Sequence, residues 1–385
     1  MPLLWPPWFS PVASPHELVN PSSFSTMAET RSRSATSSPK HSATPPRPAP
    51  SLPDSAIDTQ STHQTETPHS NTLLEVDSEN TESDSAYGDE ISLFSASITS
   101  SVVDFQEENG RRYHAYRRGR YLLPNDDIEN ERLDIHHELM LVVLNGKLHL
   151  APIPENLQKA IDLGTGTGIW AIDFADQYPS AEVIGNDLSP IQPPFIPPNL
   201  QFYVDDIEDE WGYENTPLDY IHARFLAGGI LDWPRCTKPG GWAEFQDWDT
   251  ALYSPDGSLN PNHSIYQFHK TTSEAQENKG YNMRPGPYLE QWLIDAGFTN
   301  VQCHKFILPL GTWPKDKHYK QIGAYNFLQM QQGLEGIGLA TLTRSGEWTP
   351  EEVQVLVAKA RQDLSNPRIH GQYDFYVAYG QKPEV

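Results

Sequence analysis

Lys159 to Asp187 reads KAIDLGTGTGIWAIDFADQYPSAEVIGND, and this stretch decides the fold. Ala160-Ile161-Asp162-Leu163 is a short apolar run of the kind that fills a buried parallel strand, and Gly164-Thr165-Gly166-Thr167-Gly168 follows it directly. Three glycines let the turn pass close to a ligand. Ile169, Ala171, Ile172 and Ala175 then recur at helical spacing, Tyr178-Pro179 stops the helix, and Glu182-Val183-Ile184-Gly185 reads as a second strand. Strand, glycine turn, helix and strand make one βαβ unit.

The glycine spacing narrows the ligand. A dinucleotide fingerprint, G-x-G-x-x-G, requires its third glycine at position 169, where Ile169 stands. The pattern is instead D-x-G-x-G-x-G, which resembles motif I of class I S-adenosylmethionine (SAM) methyltransferases. The resemblance implies that Gly164, Gly166 and Gly168 pack against the amino-acid end and ribose side of SAM, and that Asp162 lies within reach of the methionine ammonium. Asp187, followed by Leu188, ends the second strand, where a carboxylate accepts two hydrogen bonds from ribose hydroxyls. Plainer uses stay open: a turn for the glycines, a helix cap for Asp162, a turn before Leu188-Ser189-Pro190 for Asp187.

At 385 residues the chain is long enough for two average domains, but its composition is uneven. Residues 1 to about 100 are dominated by Ser, Thr, Pro and Asn with few aliphatic runs, and such a segment buries too little apolar surface to offset its ordering entropy. The expectation is a disordered tail over 1–105 and one decorated α/β domain over 106–385. The first 26 residues are broken by prolines and lack a basic n-region, which argues against a secretory signal, and Met27 would make an ordinary start. No stretch reaches the roughly 18 apolar residues of a membrane span. Two cysteines, Cys236 and Cys303, offer no metal spacing and suit a reducing compartment, cytoplasmic or nuclear. His136 and His137 are adjacent and so cannot both face one metal; both read as structural, and no metal is expected. A net charge of -24 repels nucleic-acid backbones. The local exception is Arg111, Arg112, Arg117, Arg118 and Arg120, interleaved with Tyr113, His114, Tyr116 and Tyr121.

After Asp126 and Asp127 the spacing predicts a helix from about Ile128 to Leu144, ended by Asn145-Gly146, with Ile128, Leu133, Ile135, Leu139, Met140, Val143 and Leu144 as its apolar face. The run YLLPNDDIENERLDIHHELMLVVLNGKLHLAPI, with GTGTGIW, NDLSPIQP and VDDIEDEW downstream, is similar to the fungal LaeA-like methyltransferase family, which includes regulators of secondary metabolism. The similarity covers about residue 110 to the end. It implies a doubly wound, seven-stranded, mostly parallel Rossmann-like sheet with SAM as cofactor. A third strand over Leu200–Val204 ends at Asp205-Asp206-Ile207, where the resemblance assigns Asp206 to the adenine amino group and Ile207 to the ring face. Leu218–His222, leading into Arg224, reads as the fourth strand and Trp242–Phe245 as the fifth. A helix over Tyr288–Ala296 and strands over about Val301–Leu308 and Tyr373–Tyr379 complete the seven. Relatives carry about ten more residues, a short helix, between the fourth and fifth strands, whereas here only Arg235-Cys236-Thr237-Lys238 separates Pro234 from Pro239. That departure fits a lost exon or a variant with a thinner crossover.

Methyl transfer needs chiefly a nucleophile held in line with the sulfonium methyl in a site shielded from water. Acceptor contacts in such a fold come from loops beyond the strand ends and from terminal decorations, which makes Tyr113, Tyr116, Tyr121, Arg224, Trp248 and His263 the candidates; no spacing singles out a base. Three functions fit: a methyltransferase acting on a small molecule, a LaeA-like nuclear regulator working with protein partners through the tail and the arginine cluster, and a cofactor-binding homologue that no longer catalyses.

Overall fold

The structure of the protein, a computed structural model, describes residues 104–119, 121–209, 218–226 and 237–384. The expectations for the tail up to 103, for the shortened crossover at 227–236 and for Glu210-Trp211 lie outside the described residues.

A short hairpin, β1 (Gln106–Glu108) and β2 (Arg111–Tyr113), precedes α1 (Asp127–Val143). Asp126 caps α1 by accepting from the Glu129 amide, and Asn145 and Gly146, both in the left-handed region, end it as expected. Its buried face differs from the predicted apolar one. Ile128 is exposed, while Glu129, Arg132, His136 and His137 are buried beside Leu139, Met140 and Val143. The reason is α5 (Lys317–Thr343), which lies along α1 and brings polar partners to it.

The remaining strands, β3 (Lys159–Leu163), β4 (Glu182–Asp187), β5 (Leu200–Val204), β6 (Leu218–Arg224), β7 (Thr237–Tyr253), β8 (Thr299–Pro309) and β9 (Gln372–Gln381), form one sheet in the order β5-β4-β3-β6-β7-β9-β8. The first five run parallel, and β9 is antiparallel to both β7 and β8. This is the expected doubly wound seven-stranded sheet, with its switch point between β3 and β6. Strand alternation divides the core. Ala160, Val183 and Tyr220 face Trp170 and Phe174 of α2 (Ile169–Gln177), while Ile161, Ile184 and Ile221 share the opposite cluster with Leu289 and Leu293 of α4 (Leu289–Asp295). On α2 the buried residues are Trp170, Ala171, Phe174 and Ala175; Ile169 and Ile172, expected on the inner face, are half-buried.

A third layer has no counterpart in the sequence-based expectations. α3 (Ser264–Glu277), α5 and α6 (Pro350–Leu364) pack together around Phe268, Leu334, Leu339, Val353 and Val357. β7 is also longer than expected, pairing with β9 from Trp242 to Tyr253.

Candidate functional site

The glycine turn is built by φ angles that side chains resist: Gly164 +62°, Gly166 +59° and Gly168 +81°. Two of its glycines have different reasons to be glycine. At Gly168 a Cβ would stand 2.4 Å from Cζ of Phe202, so strand β5 closes over the turn there. At Gly166 the nearest atom is Leu133 Cδ1 at 3.5 Å, so the turn is open and a ligand can approach its backbone.

Asp187 holds this turn up. Its Oδ2 accepts from the Gly166 amide at 2.9 Å and its Oδ1 from the Ser189 amide at 2.9 Å. An ionised carboxylate offers about four lone-pair sites, so acceptor capacity remains beyond its backbone partners. Burial pushes the Asp187 carboxyl up to about 6, against the amides of Gly166, Ser189 and Leu188 that favour its ionised form. Gln192 Nε2 donates to the Gly166 carbonyl at 2.7 Å, and Thr167 Oγ1 to Asp134 Oδ1 of α1 at 2.8 Å. Leu188 is half-buried beside Asp187.

Asp162 is buried and already has partners. Thr165 Oγ1 donates to one oxygen at 2.6 Å and His222 Nδ1 to the other at 2.7 Å. Burial drives His222 down to about 4, so it is neutral near pH 7; Trp170 stacks flat on it with ring centres 3.6 Å apart. At the end of β5, Asp206 is 4% exposed and accepts from Arg117 Nη1 at 2.7 Å and from the Glu208 amide at 3.0 Å. Ile207 packs on the cluster that holds Ile161 and Ile184.

Among the acceptor candidates, Arg224 and Trp248 come together. Arg224 ends β6, and its Nη2 donates to His137 Nδ1 at 3.1 Å, while His137 Nε2 donates to Asp173 at 2.9 Å. Burial lowers Arg224 to about 10 despite Asp162 and Asp173 nearby. The next residue, Phe225 (φ +59°), stacks on His136 at 3.9 Å, and His136 stacks on Trp248 at 5.4 Å. His136 is buried with Nε2 lacking a hydrogen-bond partner, and burial holds it well below the usual histidine range. Tyr121 is 45% exposed and meets His114 edge-on. Tyr113, by contrast, is a core residue, 2% exposed beneath Arg344 of the α5 C-terminus. Tyr116 lies half-buried under Arg117. His263 precedes α3 and accepts from the Asn260 amide at 3.0 Å.

Four residues near the site were not singled out from sequence. His222 becomes visible only through the register that pairs it with Asp162. Arg132 and Glu129, three positions apart on α1, form a buried ion pair at 2.7 Å; Gln329, which accepts from Arg132 at 3.1 Å, lies 197 positions away, and no local pattern links those two. The described arginines of the basic cluster pair with acids rather than forming a free face: Arg111 with Asp126, Arg112 with Asp127 while also bonding the Asn125 side-chain amide, Arg117 with Asp206 and Asp209, Arg118 with Asp104.

A family model described as a methyltransferase domain matches residues 135–303, which span the glycine turn, Asp187, Asp206 and β6. Methyltransferase pytC of Aspergillus terreus is 41% identical over 295 residues, 74% of this chain and 91% of that protein. The chain belongs to the LaeA-like methyltransferase family. Within it, the secondary metabolism regulator LAE1 of Cochliobolus heterostrophus is 38% identical over 72% of this chain and 94% of its own length. The protein-methionine methyltransferase laeA of Emericella nidulans is 35% identical over 72% and 77%. A Haemonchus contortus phosphoethanolamine N-methyltransferase 2 solved with SAM aligns at TM-score 0.36 and 17% identity, over 66% of this chain and 52% of that one. This LaeA-like chain is a SAM-dependent methyltransferase linked by its relatives to secondary metabolism.

Proposed function

We propose that SAM is held by Asp162, Gly164, Gly166, Gly168, Asp187, Leu188, Asp206 and Ile207, and that the methyl acceptor is a small molecule received beside Arg224 and Trp248. The observation that carries the first part is Asp187: one carboxylate fixes the open glycine turn through the Gly166 amide and keeps acceptor capacity for vicinal hydroxyls. Asp206 would take the adenine amino group, Ile207 the ring face, and Asp162, with its His222 and Thr165 partners, the methionine end. Bound SAM supplies the electrophilic methyl group.

For the acceptor, the supporting feature is the aromatic cluster of His136, Phe225, Trp248 and Phe375 just beyond the end of β6. An apolar, water-poor wall there strengthens electrostatics at the reacting atoms and orients a planar or apolar substrate. Tyr121, exposed and near the Asp187 carboxylate, would border the opening, whereas Tyr113 would act through packing. The matching experiment incubates purified protein with radiolabelled SAM and a metabolite extract. Label in a small-molecule fraction supports the reading; label confined to protein sinks it.

The names of the laeA and LAE1 relatives favour a second reading, in which the same transferase regulates secondary metabolism through protein partners in the nucleus. Pulldown of a stable partner, with methylation of that partner rather than of the extract, would decide for it. Both readings put the enzyme in the cytoplasm, the nucleus or both, which accords with its sparse cysteines.

A further inference from the structure

The segment ahead of α1 reaches the loops that end both β4 and β5. After the β1–β2 hairpin the chain turns again at Arg117 (φ +50°) and Gly119 (φ +86°). A side-chain residue held in the left-handed region is a local strain that surrounding contacts must offset, and such strain concentrates at functional positions. Here the buried His114 braces the turn, its Nε2 donating to the Arg117 carbonyl at 3.3 Å. From that turn the Arg117 guanidinium forks, Nη1 to Asp206 at 2.7 Å and Nη2 to Asp209.

The same segment also reaches the ribose side. Arg111 grips Asp126 with two bonds of 2.6 and 2.8 Å, Arg112 bonds Asn125, and Asn125 Nδ2 donates to Ser189 Oγ at 3.2 Å, beside the amide that Asp187 accepts. One stretch of chain therefore connects the Asp187 loop to the Asp206 loop.

Charge gives Arg117 a purpose. Asp205, Asp206 and Asp209 stand within five residues, and neighbouring carboxylates repel one another. Arg117 is the cation bonded to two of them. It occupies one acceptor site on one Asp206 oxygen and the Glu208 amide one on the other, which leaves each oxygen able to accept again.

We propose that Arg117 is a positioning residue for SAM, aiming the Asp206 carboxylate at the purine 6-position and strapping the segment before α1 across the purine end. The proposal rests on Asp206 as the adenine acceptor. A carboxylate acceptor at that point favours a 6-amino purine over a 6-oxo purine, so Arg117 contributes to nucleobase discrimination.

Calorimetry with S-adenosylhomocysteine and its 6-oxo counterpart, S-inosylhomocysteine, tests this on the full chain. Arg117→Ala should weaken the adenosyl ligand at least about tenfold, the equivalent of one charge-assisted hydrogen bond, while the inosyl ligand changes far less. Arg117→Lys, which keeps the charge without the fork, should fall between parent and alanine variant. Equal weakening of both ligands, or no weakening of either, overturns the proposal, since a merely structural role would leave their ratio unchanged. Asp206→Ala separates the two ways of failing. Parent-like binding of the adenosyl ligand there removes the purine assignment and Arg117's role with it. Weakened binding there, with Arg117→Ala like the parent, removes Arg117's role alone.

Discussion

The two halves of the site are made in different ways. Around the glycine turn the bonds that fix the backbone are short in sequence: Thr165 to Asp162 spans 3 positions and Gly166 to Asp187 spans 21, and the Gly166 and Ser189 amides both bond Asp187. Around Arg224 and Trp248 the contacts are remote and made by side chains. Arg132 meets Gln329 across 197 positions, and His136 is enclosed by Phe225, just past β6, and by Trp248, within β7. A backbone-built site tolerates few residue types at each position and so leaves a motif. A side-chain-built one can be made in many ways and leaves none. The difference also separates fragilities: the first half should fail by strain, the second by an unbalanced buried charge.

The largest expected effect is in the second half. Arg132→Met should leave Glu129 buried without its cation and cost about 3 to 5 kcal/mol of stability in urea unfolding. Adding Glu129→Gln should recover a substantial part of that. A single variant as stable as the parent would mean the ion pair does not govern this half.

In the first half, Gly168→Ala combines a left-handed backbone, about 1 to 2 kcal/mol, with a Cβ forced onto Phe202, about 1 to 3 kcal/mol. The sum is about 2 to 5 kcal/mol, and Phe202→Ala should relieve the steric share while leaving the backbone share. If the double variant is no more stable than Gly168→Ala alone, close packing is not why that glycine is there.

The smallest effect is a pH dependence that should belong to the first half only. Asp187 titrates near 6 in the folded chain against about 3.9 unfolded, so its folded form holds the proton more tightly. Its contribution to ligand-free stability is therefore fully present below about 4 and is lost as pH rises through 6. SAM affinity should move the other way, rising roughly tenfold between pH 5 and 7 as the carboxylate ionises. Asp187→Asn should flatten that titration; an unaltered pH profile in the variant would assign it to another group.

The sequence carried the parallel half of the fold almost to the residue, because β3 to β6 are buried runs bounded by glycine, proline or aspartate. The glycine turn and the aspartates at the ends of β4 and β5 were legible for the same reason. It did not carry the helical layer. α5 contains Gly323, Gly333, Gly336 and Gly338, residues that argue against a helix when read locally, yet a Cβ at Gly333 would stand 2.7 Å from Arg132 Cδ and one at Gly323 would strike the Gly311 carbonyl. These glycines serve close approach between distant elements, which only the folded chain makes apparent. The buried polar face of α1 was hidden likewise: Glu129 and Arg132 look like a solvated face until Gln329 is set against them.

The hairpin at the start of the described chain has a consequence for synthesis on the ribosome. Glu108 and Tyr113 are held by Arg344, and Glu108 to Arg344 is a separation of 236 positions. At translation rates of about 5 to 20 residues per second, the hairpin waits about 12 to 47 seconds for that partner to be made. During that interval the sheet can begin to assemble from β3 onward while the hairpin still lacks its Arg344 contacts, so a nascent chain stalled before Arg344 would hold Glu108 and Tyr113 without the cation that pairs with the one and covers the other.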